Sequence, residues 1–278
     1  MAIAELDVES SPETDTAGID RGNWKERNLT IAGLRLLVVA ATLGLWQVLS
    51  GPVVPRFAVS RPSDIARSLA QLLSSRSGWA DIRTTAFEIL LGFAVGVGIG
   101  TVAGMLLGTF RLAGRVLEPL VSAFNSIPKV ALAPMFLLFF GIGDWSKVAI
   151  AATGVAFIMF YSLYYGMHTV RAELEEIVKV MGASRLRLLQ YVTLPSLISP
   201  FMTGLKTSGP FAIIGVIIGE FLASFNGIGH ELYVDSSDLN AAGVFAGIIV
   251  LVLIALALNL LLDTLHKIVE RRLGLRGR

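Results

Sequence analysis

RAELEEIVKVMGASRLRLLQYVTLP, residues 171–195, is the one strongly charged segment set between apolar runs of membrane-crossing length, and the reading of the chain turns on it. Leu174, Ile177, Val178 and Met181 recur at i, i+3, i+4 and i+7, which puts four apolar side chains on one face of a helix. Glu173, Glu175, Glu176 and Lys179 fall largely outside that stripe. Gly182 suits the left-handed turn that closes a helix, and Ala183 follows it. Ser184 is placed to cap a second short helix carrying Arg185 and Arg187, which Pro195 is expected to end. The segment is therefore predicted to be a two-helix elbow whose apolar ridge needs a partner, either the bilayer surface or a protein cleft.

Composition says what surrounds the elbow. Of 278 residues, 54% are hydrophobic and 16% charged, against about 25% charged in soluble domains, and the mean hydropathy is +0.70. These values predict an all-α integral membrane protein. Net charge is only +2 and the bases gather at helix ends, so no nucleic-acid surface is expected. The absence of cysteine excludes disulfides, thiolate metal sites and a cysteine nucleophile. His168, His230 and His266 lie far apart with no HExxH spacing, so no metal site is expected.

Six apolar runs, at about residues 31–50, 84–109, 116–140, 148–167, 200–223 and 243–265, are long enough to span a bilayer. Residues 1–30, rich in Asp and Glu up to Asp20, read as a disordered acidic tail, and 31–278 as one membrane domain. Between the first two spans, Arg61-Pro62-Ser63-Asp64 opens an amphipathic helix with Ile65, Leu69, Leu72 and Leu73 on one face, suited to the membrane interface. The second span carries Gly92, Gly96, Gly100, Gly104 and Gly108 at intervals of four, a smooth groove where another helix can approach closely.

The third span is broken by Asn125, Ser126, Pro128, Lys129 and Pro134. Backbone groups freed by a break must be met by protein or water, and such breaks tend to line cavities. These residues, with Lys206 and Glu220 of the fifth span, are the candidates for a path through the membrane. Lys129 is either a charge of that path or a snorkelling side chain; Lys206 and Glu220 lie near enough to span ends to snorkel or pair locally, or to mark a mouth. Lys and Arg number fifteen on the side of the termini and elbow against six on the other. The positive-inside rule therefore places both termini and the elbow in the cytoplasm.

So placed, the elbow resembles the EAA loop of permease subunits of bacterial ATP-binding cassette (ABC) importers. Glu176, Gly182, Val192, Leu194 and Pro195 keep every spacing of that motif, and Ile177-Val178 stand where the family usually has two alanines. SIPKVALAPMFLLFFGIG at 126–143, RPSDI near 61 and GIGHELY at 227–233 look like the nitrate, sulfonate and taurine type of these permeases, and the resemblance covers about residues 30–275. It implies a permease that is no enzyme and has no catalytic residue. It further implies a homodimer with a second permease copy, two cytoplasmic ATPase subunits that hold the ATP and magnesium, and a solute-binding protein outside. Leu174, Ile177, Val178 and Met181 would then fill a cleft on the ATPase, with Glu176, Arg185 and Arg187 fixing register. The solute implied is a small organic or inorganic anion such as a sulfonate, taurine or nitrate, with a pyrimidine or thiamine precursor or an aromatic acid as alternatives.

Other classes fit less well. No GxxxxGK[ST] phosphate loop occurs, in keeping with a subunit that leaves nucleotide to a partner. An intramembrane serine protease would need a nucleophile turn, and Ser208-Gly209 lacks the preceding glycine, while His266 sits at the far end of the sixth span. A secondary transporter would call for inverted repeats and buried coupling carboxylates, which do not stand out.

Overall fold

Regular structure is helical throughout, with no strand, among the residues that the computed structural model describes: 24–53, 55, 58–169, 180 and 184–272. Residues 1–23, and within the elbow Leu174, Glu176, Ile177, Val178, Met181, Gly182 and Ala183, lie outside the described residues. The chain divides into two compact units at Leu49 and Ser50. The first holds α1, Trp24–Leu49, which starts ahead of the run expected from hydropathy and whose apolar part is Gly33–Leu49.

The second unit contains nine helices among its described residues. These are α2 (Pro62–Ser74), α3 (Arg76–Thr109), α4 (Arg111–Asn125), α5 (Lys129–Phe140), α6 (Asp144–His168), α7 (Arg185–Leu188), α8 (Ile198–Ala223), α9 (Ile228–Ser237) and α10 (Ala241–Arg272), with shorter helical turns joining α7 to α8. Among the described residues four stretches are long and apolar enough to cross a membrane: Arg76–Thr109, Asp144–His168, Leu189–Leu222 and Ala241–Arg271. The pair α4 and α5, bent by 92°, makes a fifth when counted as one broken span.

Local chemistry fixes the helix ends. Pro62 opens α2, where its missing N–H costs nothing. Ser75 caps α3 by accepting from Gly78 N at 2.9 Å. α2 buries Ile65 and leaves Leu73 at the surface. It packs against α3 and α10.

The glycine row fixes how α3 meets α6. A Cβ added at Gly92 would stand 2.7 Å from Ala151 Cβ, at Gly96 2.6 Å from Val155 Cβ, at Gly100 2.7 Å from Met159 Cβ, and at Gly108 2.7 Å from Met167 Cγ. Each step of four along α3 matches a step of four along α6, so the two helices run parallel and in register. Parallel neighbours have a topological consequence. The chain between Thr109 and Asp144 must return along the whole length of the pair, and α4 with α5 is that return. α8 packs antiparallel on α6 and also meets α3, its Gly219 against Lys147 and its Gly204 against Met159 and Ser162. Ile89, Phe93, Val155, Met159, Leu163, Val216 and Leu258 form the core between these helices.

Pro195 does not end the second elbow helix. From Arg185 the chain passes through a π-helical turn, Leu189–Thr193, and a short helix, Leu194–Ser196, into α8. The wider turn bonds Leu194 N to Leu189 O. It brings Pro195 to the first turn of the next helical piece, where a proline is tolerated. Ser184 stands where a cap is expected, its Oγ accepting from Arg187 N at 3.4 Å.

Candidate functional site

Three polar features interrupt the apolar bundle. The largest lies where α3 and α6 begin and α8 finishes. Thr85, Glu88, Lys147 and Glu220 are buried there to 2% exposure or less, with Asp81 at 7%. The Lys147 ammonium pairs with the Glu88 carboxylate, donates to Ser224 Oγ at 3.1 Å and lies 3.7 Å from Asp144. Glu220 does not reach towards headgroups: its Oε1 accepts from Thr85 Oγ1 at 2.7 Å and its Oε2 from Gly229 N at 2.6 Å.

These carboxylates hold a loop in place. Gly227 N donates to Asp81 Oδ1 at 2.8 Å and Ile228 N to Thr85 Oγ1 at 2.8 Å. Three successive N–H groups at the start of α9, which no intrahelical carbonyl can serve, are thus met by side chains of α3 and α8. Gly227 sits at φ 105°, and a Cβ at either Gly227 or Gly229 would run into the Glu220 carboxyl. The GIG sequence is required by this clamp. Sequence reasoning found Glu220 but missed Asp81, Thr85, Glu88 and Lys147. A signal was present: Glu88 is the lone charged residue within the second apolar run, and an unexplained charge there calls for a partner.

The second feature is the corner between α4 and α5. Ser126 and Pro128 are exposed, as is Pro134 further along α5. Lys129 reaches back one turn, donating to the Asn125 carbonyl and to Asn125 Oδ1, the latter at 2.9 Å, and its Nζ lies 4.9 Å from the centre of the Phe157 ring. It therefore serves carbonyl groups at the end of α4 that the bend leaves open. In the concave angle of the bend lies a cavity of about 750 Å³ with an almost wholly apolar lining that includes Ile99, Leu120, Phe124, Phe136, Phe157 and Phe160.

The third feature joins α8 to α10. Lys206 pairs with Asp263 at 2.7 Å, and the two side chains are 43% and 50% exposed. The sequence pointed to Lys206 but not to its partner, which lies more than fifty positions further on. Of the elbow, Val180 and Tyr191 are strongly exposed, at 88% and 77%, and Arg187 is also at the surface. Ser208 is buried with its hydroxyl on Leu205 O at 3.1 Å, and His266 pairs with Glu270 at 3.0 Å. Neither is a partner for the other. No group of three or more metal-ligating side chains occurs among the described residues.

Comparison with known proteins agrees with this architecture. Residues 96–275 match the profile of the binding-protein-dependent transport system inner membrane component family. The putative aliphatic sulfonates transport permease protein SsuC of Bacillus subtilis is 26% identical over 95% of this chain and 94% of its own length. The riboflavin transport system permease protein RibX of Chloroflexus aurantiacus is 30% identical over 91% of this chain and 92% of its own. A chain of the MetNI methionine ABC transporter, solved in inward-facing conformations, superposes with a TM-score of 0.60 at 19% identity, covering 68% of this chain and 94% of that one, and shares the fold.

Proposed function

The chain belongs to the family of binding-protein-dependent transport system inner membrane components, a multi-pass permease subunit of an ABC importer and not an enzyme, and we propose that it carries a small organic or inorganic anion. The anion reading, a sulfonate, taurine, nitrate or similar solute, rests on the full-length likeness to the sulfonate permease. The likeness to a riboflavin permease keeps a larger heteroaromatic solute as the second reading. Two copies of the permease form the pathway, both termini and the elbow face the cytoplasm, and a solute-binding protein delivers from the other side. The permease holds no nucleotide; ATP and magnesium act on two partner ATPase subunits.

The observation that carries the coupling role is the elbow pattern of Glu176, Gly182, Leu194 and Pro195 between the fourth and fifth spans. Leu174, Ile177, Val178 and Met181 fill an apolar cleft of the ATPase, while Glu176, Arg185 and Arg187 fix register by charge. Ser184 caps the start of the second elbow helix, and Ala183 belongs to the turn before it. Asn125, Ser126, Pro128, Lys129 and Pro134 border the pathway at the bent span.

Gly182→Val tests the coupling. A β-branched side chain cannot take the left-handed turn cheaply, so the expected outcome is a permease that inserts and purifies normally but no longer brings down the ATPase from membranes or supports uptake. Undiminished ATPase recovery and uptake would overturn the coupling role.

A further inference from the structure

An ion pair that is half exposed on a membrane helix is out of place against hydrocarbon, where a charged side chain costs several kcal/mol by any scale. Lys206 and Asp263 are such a pair. Their depth is set by neighbours: Gly204 packs on Met159 and Ser162 of α6, beside the aromatic band of Tyr161, Tyr164 and Tyr165 that marks an interface. The pair also heads a polar surface. Ser199, Thr203 and Thr207 of α8 and Asn259 of α10 are exposed around it, whereas further along the same faces the exposed residues are Ile214, Phe221, Val252 and Leu256. One wall thus changes from apolar to polar over its length.

We propose that this polar wall faces water at the cytoplasmic mouth of the pathway and that Lys206 is an anion-binding group there, held by Asp263 until a solute takes its place. The charge supports an anion and not a cation. Lys267 and Arg271 follow Asp263 by one and two turns of α10, with Glu270 beside them on the same face, so three basic groups, Lys206 included, stand against two carboxylates and the patch remains positive. Glu270 is itself engaged by His266. An ammonium offers three donors, and the pair with Asp263 leaves donors for a sulfonate or carboxylate oxygen. Exchange of one anionic partner for another lets the solute bind without stranding a charge and leave without a deep well. The inference rests on the importer reading above and deepens it by naming a solute-contacting group.

The test uses the permease–ATPase complex in nanodiscs of zwitterionic phosphatidylcholine, where no anionic headgroup is present. The chain has no cysteine, so Thr203→Cys gives each permease copy one thiol, one turn from Lys206, and the ATPase subunits are used in a cysteine-free form. The expected result is that this thiol reacts with water-soluble methanethiosulfonates and, with each rate taken relative to that of a small free thiol, favours the sulfonate-bearing reagent over the trimethylammonium one by about tenfold, the size of effect that one nearby unit charge exerts. Lys206→Met should abolish that preference and Asp263→Asn should enlarge it. A thiol inert to both reagents would mean that lipid or the second copy covers the wall, and an unchanged preference in Lys206→Met would mean that the lysine does not act on passing anions. Either result overturns the inference. Neither depends on uptake or ATPase recovery, so the importer reading stands or falls separately.

Discussion

Lys147 is where single side chains matter most. It lies in the first turn of α6 at 2% exposure, and it is the ammonium facing the buried Glu88 carboxylate. Removing one member of a buried pair strands the other, at about 3–5 kcal/mol, whereas removing both is often close to neutral. Lys147→Met is therefore expected to lower the thermal stability of the purified permease sharply, and Lys147→Met with Glu88→Gln to recover most of the loss. A double variant no more stable than the single would show that the loss comes from contacts of Lys147 itself and not from a stranded Glu88 carboxylate. Thr85 shows a different economy: one hydroxyl accepts from Ile228 N and donates to Glu220, so it links α3, α8 and α9 through two bonds of 2.7 and 2.8 Å.

At the scale of elements, α9 is the helix that solvent conditions can move. Burial, with Asp81 and Asp235 nearby, raises the Glu231 carboxyl above its ordinary value, and burial raises Asp235 as well. An acid whose folded value is raised binds its proton more tightly folded than unfolded. The folded helix therefore carries no penalty at pH below the ordinary carboxylate value and gains one as pH rises from there to the raised value, above which the penalty is constant. Amide exchange in Ile228–Ser237 is expected to quicken over that window and then level off, and Glu231→Gln to flatten the profile. Exchange that slows as pH rises, after correction for intrinsic rates, would contradict this.

The same scale shows what was legible in the sequence. The glycine row announced close helix packing because periodicity alone reports a face, and the α3–α6 contact follows it position by position. Pro128 and Asn125 announced a break, and the chain turns by 92° there. Pro195 misled, because a π-helical turn upstream shifts which residues it can disturb. Partners are the part that a sequence hides: Glu220 meets Thr85, and Lys206 meets Asp263, across distances along the chain that only packing can bring together.

Within the second unit the helices are not equally bound. α3, α6 and α8 share the core and the Lys147–Glu88 and Thr85–Glu220 links. α4 and α5 bring little to that core: of their side chains Ala133 is fully buried, and Leu138, Phe139 and Phe124 are mostly exposed. A packed core is bistable at most and transmits force as a body, so movement driven by an ATPase is expected at the α4–α5 corner and not along the α3–α6 seam. A cysteine at Pro128, in a chain with no other, should react with aqueous thiol reagents at a rate that changes between the nucleotide-free and nucleotide-trapped complex. A cysteine at Gly98, on the open side of α3 where an added Cβ meets nothing within 4 Å, should show no such change. Equal response at both positions would mean that the bundle deforms as a whole, and a response at Gly98 alone would place the moving element in α3.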